Sequence, residues 1–211
     1  MAKAKAKRPA AKSKPAAKPK PAAKPKPAAK PKPTTRKLSA KRSPPSIDSL
    51  DAAQLLARVA LHARAQGEPG DELPAVLARL QTEATAELVP AMFAILEDDD
   101  PHGVLWSVFY VLEGFDDDYL AGLIDALAGL RERAPGWADT ALLRIINTRG
   151  EPEDCTAAFV AIAKRRRAPE RKVVVAALRG LLEGDEPLAA VQERAIKEML
   201  DALSTRQSSS S

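Results

Sequence analysis

From residue 46 onward the chain reads as an all-α protein. Apolar residues recur at spacings of three and four, and prolines and glycines fall between the recurrences. Alternating β-branched or aromatic strand patterns are scarce. The expected architecture is an irregular helical bundle or a stack of antiparallel helix hairpins spanning residues 46–205. A disordered basic tail over residues 1–45 precedes it and a disordered C-terminus over residues 206–211 follows. A body of this length can bury one sizeable core.

The periodicity predicts nine helices. The first covers Leu50–Ala65, with Asp48 or Ser49 as its N-cap and Leu55, Leu56, Val59 and Leu61 on its apolar face. Asp71–Thr82 follows, carrying Leu73, Val76, Leu77 and Leu80. The third spans Ala84–Leu96, kinked or divided at Pro90. The fourth, His102–Gly114, is apolar nearly all round, which predicts a central position. The fifth starts at Asp117 or Asp118, places Leu120, Leu123, Ile124, Leu127 and Leu130 on one face, and ends near Ala134. Trp137–Thr148 is the sixth. Glu151–Arg167 is the seventh, with Pro152 in its first turn and Lys164–Arg167 at its negative end. Glu170–Glu183 and Pro187–Leu203 complete the set. Short connections pair neighbours as hairpins recurring about every 30–35 residues without a repeat consensus. Such a layer of pairs resembles HEAT-type scaffolds, which serve as binding surfaces.

Charge divides the chain in two. Residues 1–45 hold 16 Lys/Arg and no acidic residue, which leaves 17 basic against 28 acidic residues in the remainder. The overall +5 thus conceals a +16 tail on a −11 body. Ala-Ala-Lys-Pro-Lys-Pro occurs three times in tandem from Ala16 to Pro33. Ten of the 18 prolines lie in this tail, so the expected state is extended and partly polyproline II. Its candidate polyanion-binding residues are Lys3, Lys5, Lys7, Lys12, Lys14, Lys18, Lys20, Lys24, Lys26, Lys30, Lys32, Arg36 and Lys37. Binding by such lysines releases counterions, so it would be sequence-independent and steeply salt-dependent. No aromatic residue interleaves them to stack on bases. In composition the tail resembles Lys/Ala/Pro-rich linker-histone tails. Its ligand is left open among DNA, RNA, acidic lipid and the acidic body, beside a purely solubilising role.

Catalytic patterns are nearly absent. The only histidines, His62 and His102, lack metal-ligand spacing, and neither a nucleophile elbow nor a phosphate loop occurs. Cys155 is the sole cysteine and reads as a half-buried structural residue. The expectation is a non-enzyme with no cofactor, no metal site and no catalytic residue. No apolar run is long enough to span a bilayer and no secretory h-region follows the basic N-terminus, which points to the cytoplasm.

Two acidic clusters flank the most apolar helix: Glu97, Asp98, Asp99 and Asp100 before it, and Asp116, Asp117 and Asp118 after it. They are read either as solvated helix boundaries or as a negative surface for a cationic partner. Lys164–Arg167 is the one basic cluster of the body, and caps its helix, meets an acidic patch or extends a phosphate-binding surface with the tail.

Four segments carry a resemblance: Leu112-Glu113-Gly114-Phe115, Tyr119-Leu120, Ala134-Pro135-Gly136-Trp137 and Arg144-Ile145-Ile146-Asn147. Over about residues 90–160 the chain resembles the bacterial polymorphic-toxin immunity protein 30 family. The resemblance implies an all-helical domain that neutralises a cognate toxin by binding it, without catalysis. Glu113, Phe115, Trp137, Arg144 and Asn147 are then structural positions. Arg144 would pair with Glu113, Asn147 would close its helix, and Trp106, Phe109, Phe115 and Trp137 would be core. The alternative is a nucleic-acid-associated protein whose tail binds DNA or RNA.

Overall fold

A computed structural model describes residues 46–65 and 68–205. Among them are nine α-helices and no strand: α1 (Ala52–Ala63), α2 (Leu73–Glu83), α3 (Val89–Ile95), α4 (Val104–Glu113), α5 (Asp116–Arg133), α6 (Pro135–Asn147), α7 (Thr156–Arg165), α8 (Ala168–Glu183) and α9 (Ala190–Ser204). The expected all-helical class holds. The basic residues Lys3 to Lys37 lie outside the described residues.

Local chemistry explains the helix starts. Asp51, rather than Asp48 or Ser49, caps α1, because its carboxylate takes the Gln54 N–H at 2.8 Å while Gln54 Oε1 takes the Asp51 N–H at 3.0 Å. Asp48 and Ser49 lie instead in a 3-10 turn, Ile47–Ser49. Proline occupies the first turn of α2, α3, α6 and α8, where its missing N–H costs nothing. Pro90 therefore opens a helix, and residues Ala86–Leu88 before it form a separate 3-10 turn.

The seventh helix begins later than its proline suggests. Residues 151–155 are a turn, and α7 starts at Thr156. Asp154 is the reason: its carboxylate accepts from the Thr156 N–H at 2.9 Å, the Thr156 hydroxyl at 2.5 Å and the Gly150 N–H at 3.2 Å. That set satisfies the first free donor of α7 from outside the helix. Gly150, at φ 86°, supplies the left-handed step into this turn.

The principal packing runs in chain order. α1 and α2 pack together and on α4; α3 and α4 pack on α5; α5 and α6 pack on α7, α8 and α9. α5 is the central helix, in contact with α3, α4, α6, α7 and α8. This corrects the expectation that the most apolar helix is central. α4 buries Val104, Leu105, Val108, Phe109 and Leu112 but turns Trp106 and Tyr110 outward. α5 is more polar in sequence, yet Leu123, Leu127 and Leu130 are fully buried. Truncating any of these leucines to alanine would cost about 2–5 kcal/mol.

One residue, the buried Ala134, joins α5 to α6, and two, Gly114 and Phe115, join α4 to α5. Asp116 enters α5 at φ 47°, in the left-handed region that Asp tolerates better than most side chains.

Candidate functional site

On α4 the positions Trp106, Tyr110 and Glu113 fall three and four residues apart, so they form one stripe. Trp106 is 41% exposed and Tyr110 59% exposed, the two largest uncovered aromatic surfaces among the described residues. Beneath them the aromatic packing is continuous. Trp106 lies 4.8 Å from Trp137 and 6.1 Å from Phe109 between ring centroids, and Phe109 meets Tyr119 edge-on at 6.1 Å. Trp137 and Phe109 are core, as expected; Trp106 is not, and Phe115 is only half-buried.

Arg144 of α6 closes this stripe. Its guanidinium makes a two-point ion pair with Glu113, with Nη2 at 2.7 Å from Oε2. It also lies 5.6 Å from the Tyr110 ring centroid and 6.0 Å from that of Phe109. The expected Arg144–Glu113 pair is thus present. Hydrogen bonding to Glu113 raises the Arg144 pKa further, so the charge is permanent. Asn147 does not close α6: its Oδ1 accepts from Gln192 Nε2 of α9 at 2.8 Å, while Thr148 takes the cap position.

The two acidic clusters differ in kind. Asp100 accepts from the N–H groups of Val104 and Leu105 at 2.9 and 2.8 Å, and so caps α4. Asp98 does the same for α6 across the fold, accepting from Gly136 and Trp137 at 3.1 and 3.2 Å. The Glu97 backbone carbonyl accepts from Trp137 Nε1 at 3.0 Å, and its carboxylate pairs with Arg64. Hydrogen bonding to Arg64 lowers the Glu97 pKa. Of this cluster only Asp99 is exposed without a structural bond among the described residues. Asp116, Asp117 and Asp118, by contrast, are all exposed at the first turn of α5, where the helix dipole favours them. Between the clusters α4 rises about 15 Å.

A cavity of about 970 Å³ opens where the α5 start, the α6 end and the 149–155 turn converge. Tyr119, the Arg144–Glu113 pair, Asp116, Asp117, Glu151 and Glu153 are among the residues that line it. A smaller hollow of about 340 Å³ lies beside Trp106 and Trp137, bounded by Asp98 and Asp100.

The basic cluster Lys164–Arg167 is largely engaged. Arg166 pairs with Asp125 at 2.8 Å, Arg167 pairs with Glu170, and Arg165 donates to the Ala161 carbonyl of its own helix. His62 Nε2 lies 3.2 Å from Glu72 Oε1, an arrangement that ties α1 to the start of α2. Among the described residues no group of His, Cys, Asp and Glu could hold a metal ion, and no helix is long and apolar enough to cross a membrane.

Sequence reading missed the exposed Trp106–Tyr110 stripe because it scored α4 by apolarity alone. Glu113, seven residues beyond Trp106 on the same stripe, was the available signal that this side faces water. Nothing in the sequence announces that Asp98 caps a helix 37 residues away.

No curated protein matches the chain, and no solved structure does. A family model described as Immunity protein 30 matches residues 65–154. The match runs from the end of α1 through α6 to the turn before α7, and so takes in the aromatic stripe and both acidic clusters. It begins earlier than the residues that first suggested the resemblance. Over residues 65–154, therefore, this chain is similar to the immunity protein 30 family.

Proposed function

We propose that the helical body is a non-enzymatic, immunity-type inhibitor that neutralises a bacterial toxin by binding it through the outer face of α4 and its acidic borders. One observation carries this reading: Trp106 and Tyr110 are exposed side by side on a rigid helix, backed by Trp137, Phe109 and Arg144. Trp, Tyr and Arg are the residue types in which binding energy concentrates at protein interfaces. Exposed aromatic rings in a packed cluster lose little conformational entropy on binding. The acidic surface Glu97–Asp100 and Asp116–Asp118 frames this face. Asp99, Asp116, Asp117 and Asp118, which are exposed, supply long-range attraction to a basic partner.

The test pairs the chain with any candidate toxin that its genomic neighbourhood encodes. Trp106→Ala and Tyr110→Ala should each weaken the complex by about 2 kcal/mol, roughly thirtyfold in Kd. Tyr110 is 59% exposed, so Tyr110→Ala should change thermal unfolding little, whereas Trp106→Ala also removes packing on Trp137 and its Kd is read at a temperature well below its own melting point. Replacing Asp116, Asp117 and Asp118 by Asn should slow association and flatten its salt dependence. A complex of unchanged affinity in the Trp106→Ala/Tyr110→Ala double variant would exclude this face.

A second reading rests on the +16 tail: non-specific binding of DNA or RNA. Gel shifts of the full chain against a chain starting at Ser46 test it. The log–log salt slope should collapse on deletion, and equal affinity at low salt would eliminate the reading.

A further inference from the structure

The helical body is acidic in sum, yet the corner where α7 meets α8 is not. Lys164 and Arg165 end α7, Arg171 and Lys172 stand in the opening turns of α8, and Arg179 lies two turns beyond Lys172. Arg171 Nη1 donates to the Lys164 carbonyl at 3.4 Å, which brings the two groups together. None of these cations has an ion-pair partner among the described residues. Their hydrogen bonds go only to the backbone carbonyls of Ala161 and Lys164, which leaves the charge uncancelled. Asp125 and Glu170, carboxylates at this corner, are taken by Arg166 and Arg167. Arg165, Lys172 and Arg179 are exposed, and Lys164 and Arg171 half-buried.

Folding does not account for this charge. Lys164 and Arg165 suit the negative end of α7, but Arg171 and Lys172 sit near the positive end of α8, where the dipole disfavours cations. Arg171 is also held beside Lys164, a like charge. An external anion relieves both costs. Arginine forks pair with phosphate at two points, and Arg165, Arg171 and Arg179 supply them. Lys172 and Arg179 share one side of α8 about 10 Å apart, a length over which duplex DNA carries about six charges. No large apolar side chain is exposed on α7 or α8 among the described residues, so the corner lacks the apolar face that seats a helix in a membrane interface. No exposed aromatic ring stands there to stack on unpaired bases: Trp106 and Tyr110 are on α4, whose main packing partners are α1, α2, α3 and α5.

We infer that the α7–α8 corner is a docking face for the phosphate backbone of a nucleic-acid duplex, gripped by Lys164, Arg165, Arg171, Lys172 and Arg179. The inference rests on the nucleic-acid reading of the chain and deepens it, because the helical body then supplies a rigid cationic element of its own. Both helices lie beyond residues 65–154, so the face is an addition to the part that resembles an immunity protein. It also leaves the Trp106–Tyr110 stripe free, so one chain can hold a duplex and a protein partner together.

The experiment uses the full chain and a short mixed-sequence DNA duplex. In fluorescence anisotropy, Arg165→Gln/Lys172→Gln/Arg179→Gln should weaken binding about tenfold at low salt. It should also lower the slope of log K against log salt by about 2.7, at about 0.9 per lost phosphate contact. Its thermal unfolding should hold, since these side chains make no ion pair among the described residues. Amide-resolved NMR of the parent should place the duplex-induced shifts in the last turn of α7 and along α8, away from Trp106 and Tyr110. An unchanged slope and affinity in the triple variant, or shifts confined to other helices, would overturn the inference. Equal affinity for the single strand would overturn it too, as would phosphatidylserine vesicles that lose binding to the triple variant while the duplex does not. A second variant, with Lys18, Lys20, Lys24, Lys26, Lys30 and Lys32 all changed to Gln, separates the face from the tail. If it alone loses duplex binding, the α7–α8 face is struck and the tail reading stands. If it keeps duplex binding while the triple variant loses it, the face stands and the tail reading falls.

Discussion

Gly122 lies in α5 where that helix crosses α3, one turn beyond Asp118. A β-carbon built there would sit 2.3 Å from Val89 Cγ1 and 3.3 Å from Phe93 Cε2. In an open helix, Gly→Ala gains about 1 kcal/mol. Here the neighbour cannot yield. Val89 is 2% exposed and stiff at χ1, so the two helices must separate to admit the methyl group. Overpacking of this kind costs about 1–3 kcal/mol, and an overlap beyond one ångström belongs at or above the upper end. The net expectation for Gly122→Ala is a loss of about 2 kcal/mol, or a Tm lowered by about 4–8 °C. Gly129→Ala on the same helix is the control. It is exposed, and its β-carbon would meet only the tip of Arg133 at 3.3 Å, so it should gain about 0.5 kcal/mol. Urea unfolding with unchanged m-values measures both. In the Gly122→Ala background, Val89→Ala should cost far less than it does alone, because the cavity it makes takes the new methyl. A stabilised Gly122→Ala, or a double-mutant cycle without coupling, would refute the close approach of α3 and α5.

Three further substitutions probe the carboxylates. Asp98→Ala should cost about 1 kcal/mol by uncapping α6, whereas Asp99→Ala should stay within about 0.5 kcal/mol; thermal melts of the pair separate the roles. Asp154→Asn should lose about 2 kcal/mol at neutral pH, where the wild-type carboxylate is charged. Burial disfavours that charge. The hydrogen bonds from Thr156, Gly150 and Arg149 together outweigh it and hold the carboxyl well below the usual range. A depressed folded-state pKa stabilises above the unfolded value, so the wild-type advantage should persist down to about pH 4 and shrink on further acidification. A wild-type-to-variant gap constant from pH 7 to pH 2 would show that the charge is not what holds the turn.

The helices were legible because their apolar spacing is strong and prolines and glycines punctuate it. Legibility failed where a side chain far off in sequence decides. The start of α7 is set by Asp154, not by Pro152, and the start of α6 is completed by Asp98 from the α3–α4 loop. Apolarity misled at α4, since a tryptophan and a tyrosine on a surface stripe count the same as core residues. The leucine seam of α5 was legible, but the three leading aspartates and late arginines make the helix look more peripheral than it is. Both acidic clusters were visible as candidates. Which carboxylates are committed to backbone N–H groups was not, because that depends on where two chain segments meet.

The unequal engagement of those carboxylates also governs how such a protein can change over generations. Glu97, Asp98 and Asp100 are bound into helix ends and an ion pair, so replacing them is penalised whatever the partner. Asp116, Asp117 and Asp118 are exposed on a helix that the core holds without them. Over generations the letters are free at Asp117 and Asp118, constrained at Asp116 by its φ of 47°, and fixed at the first cluster.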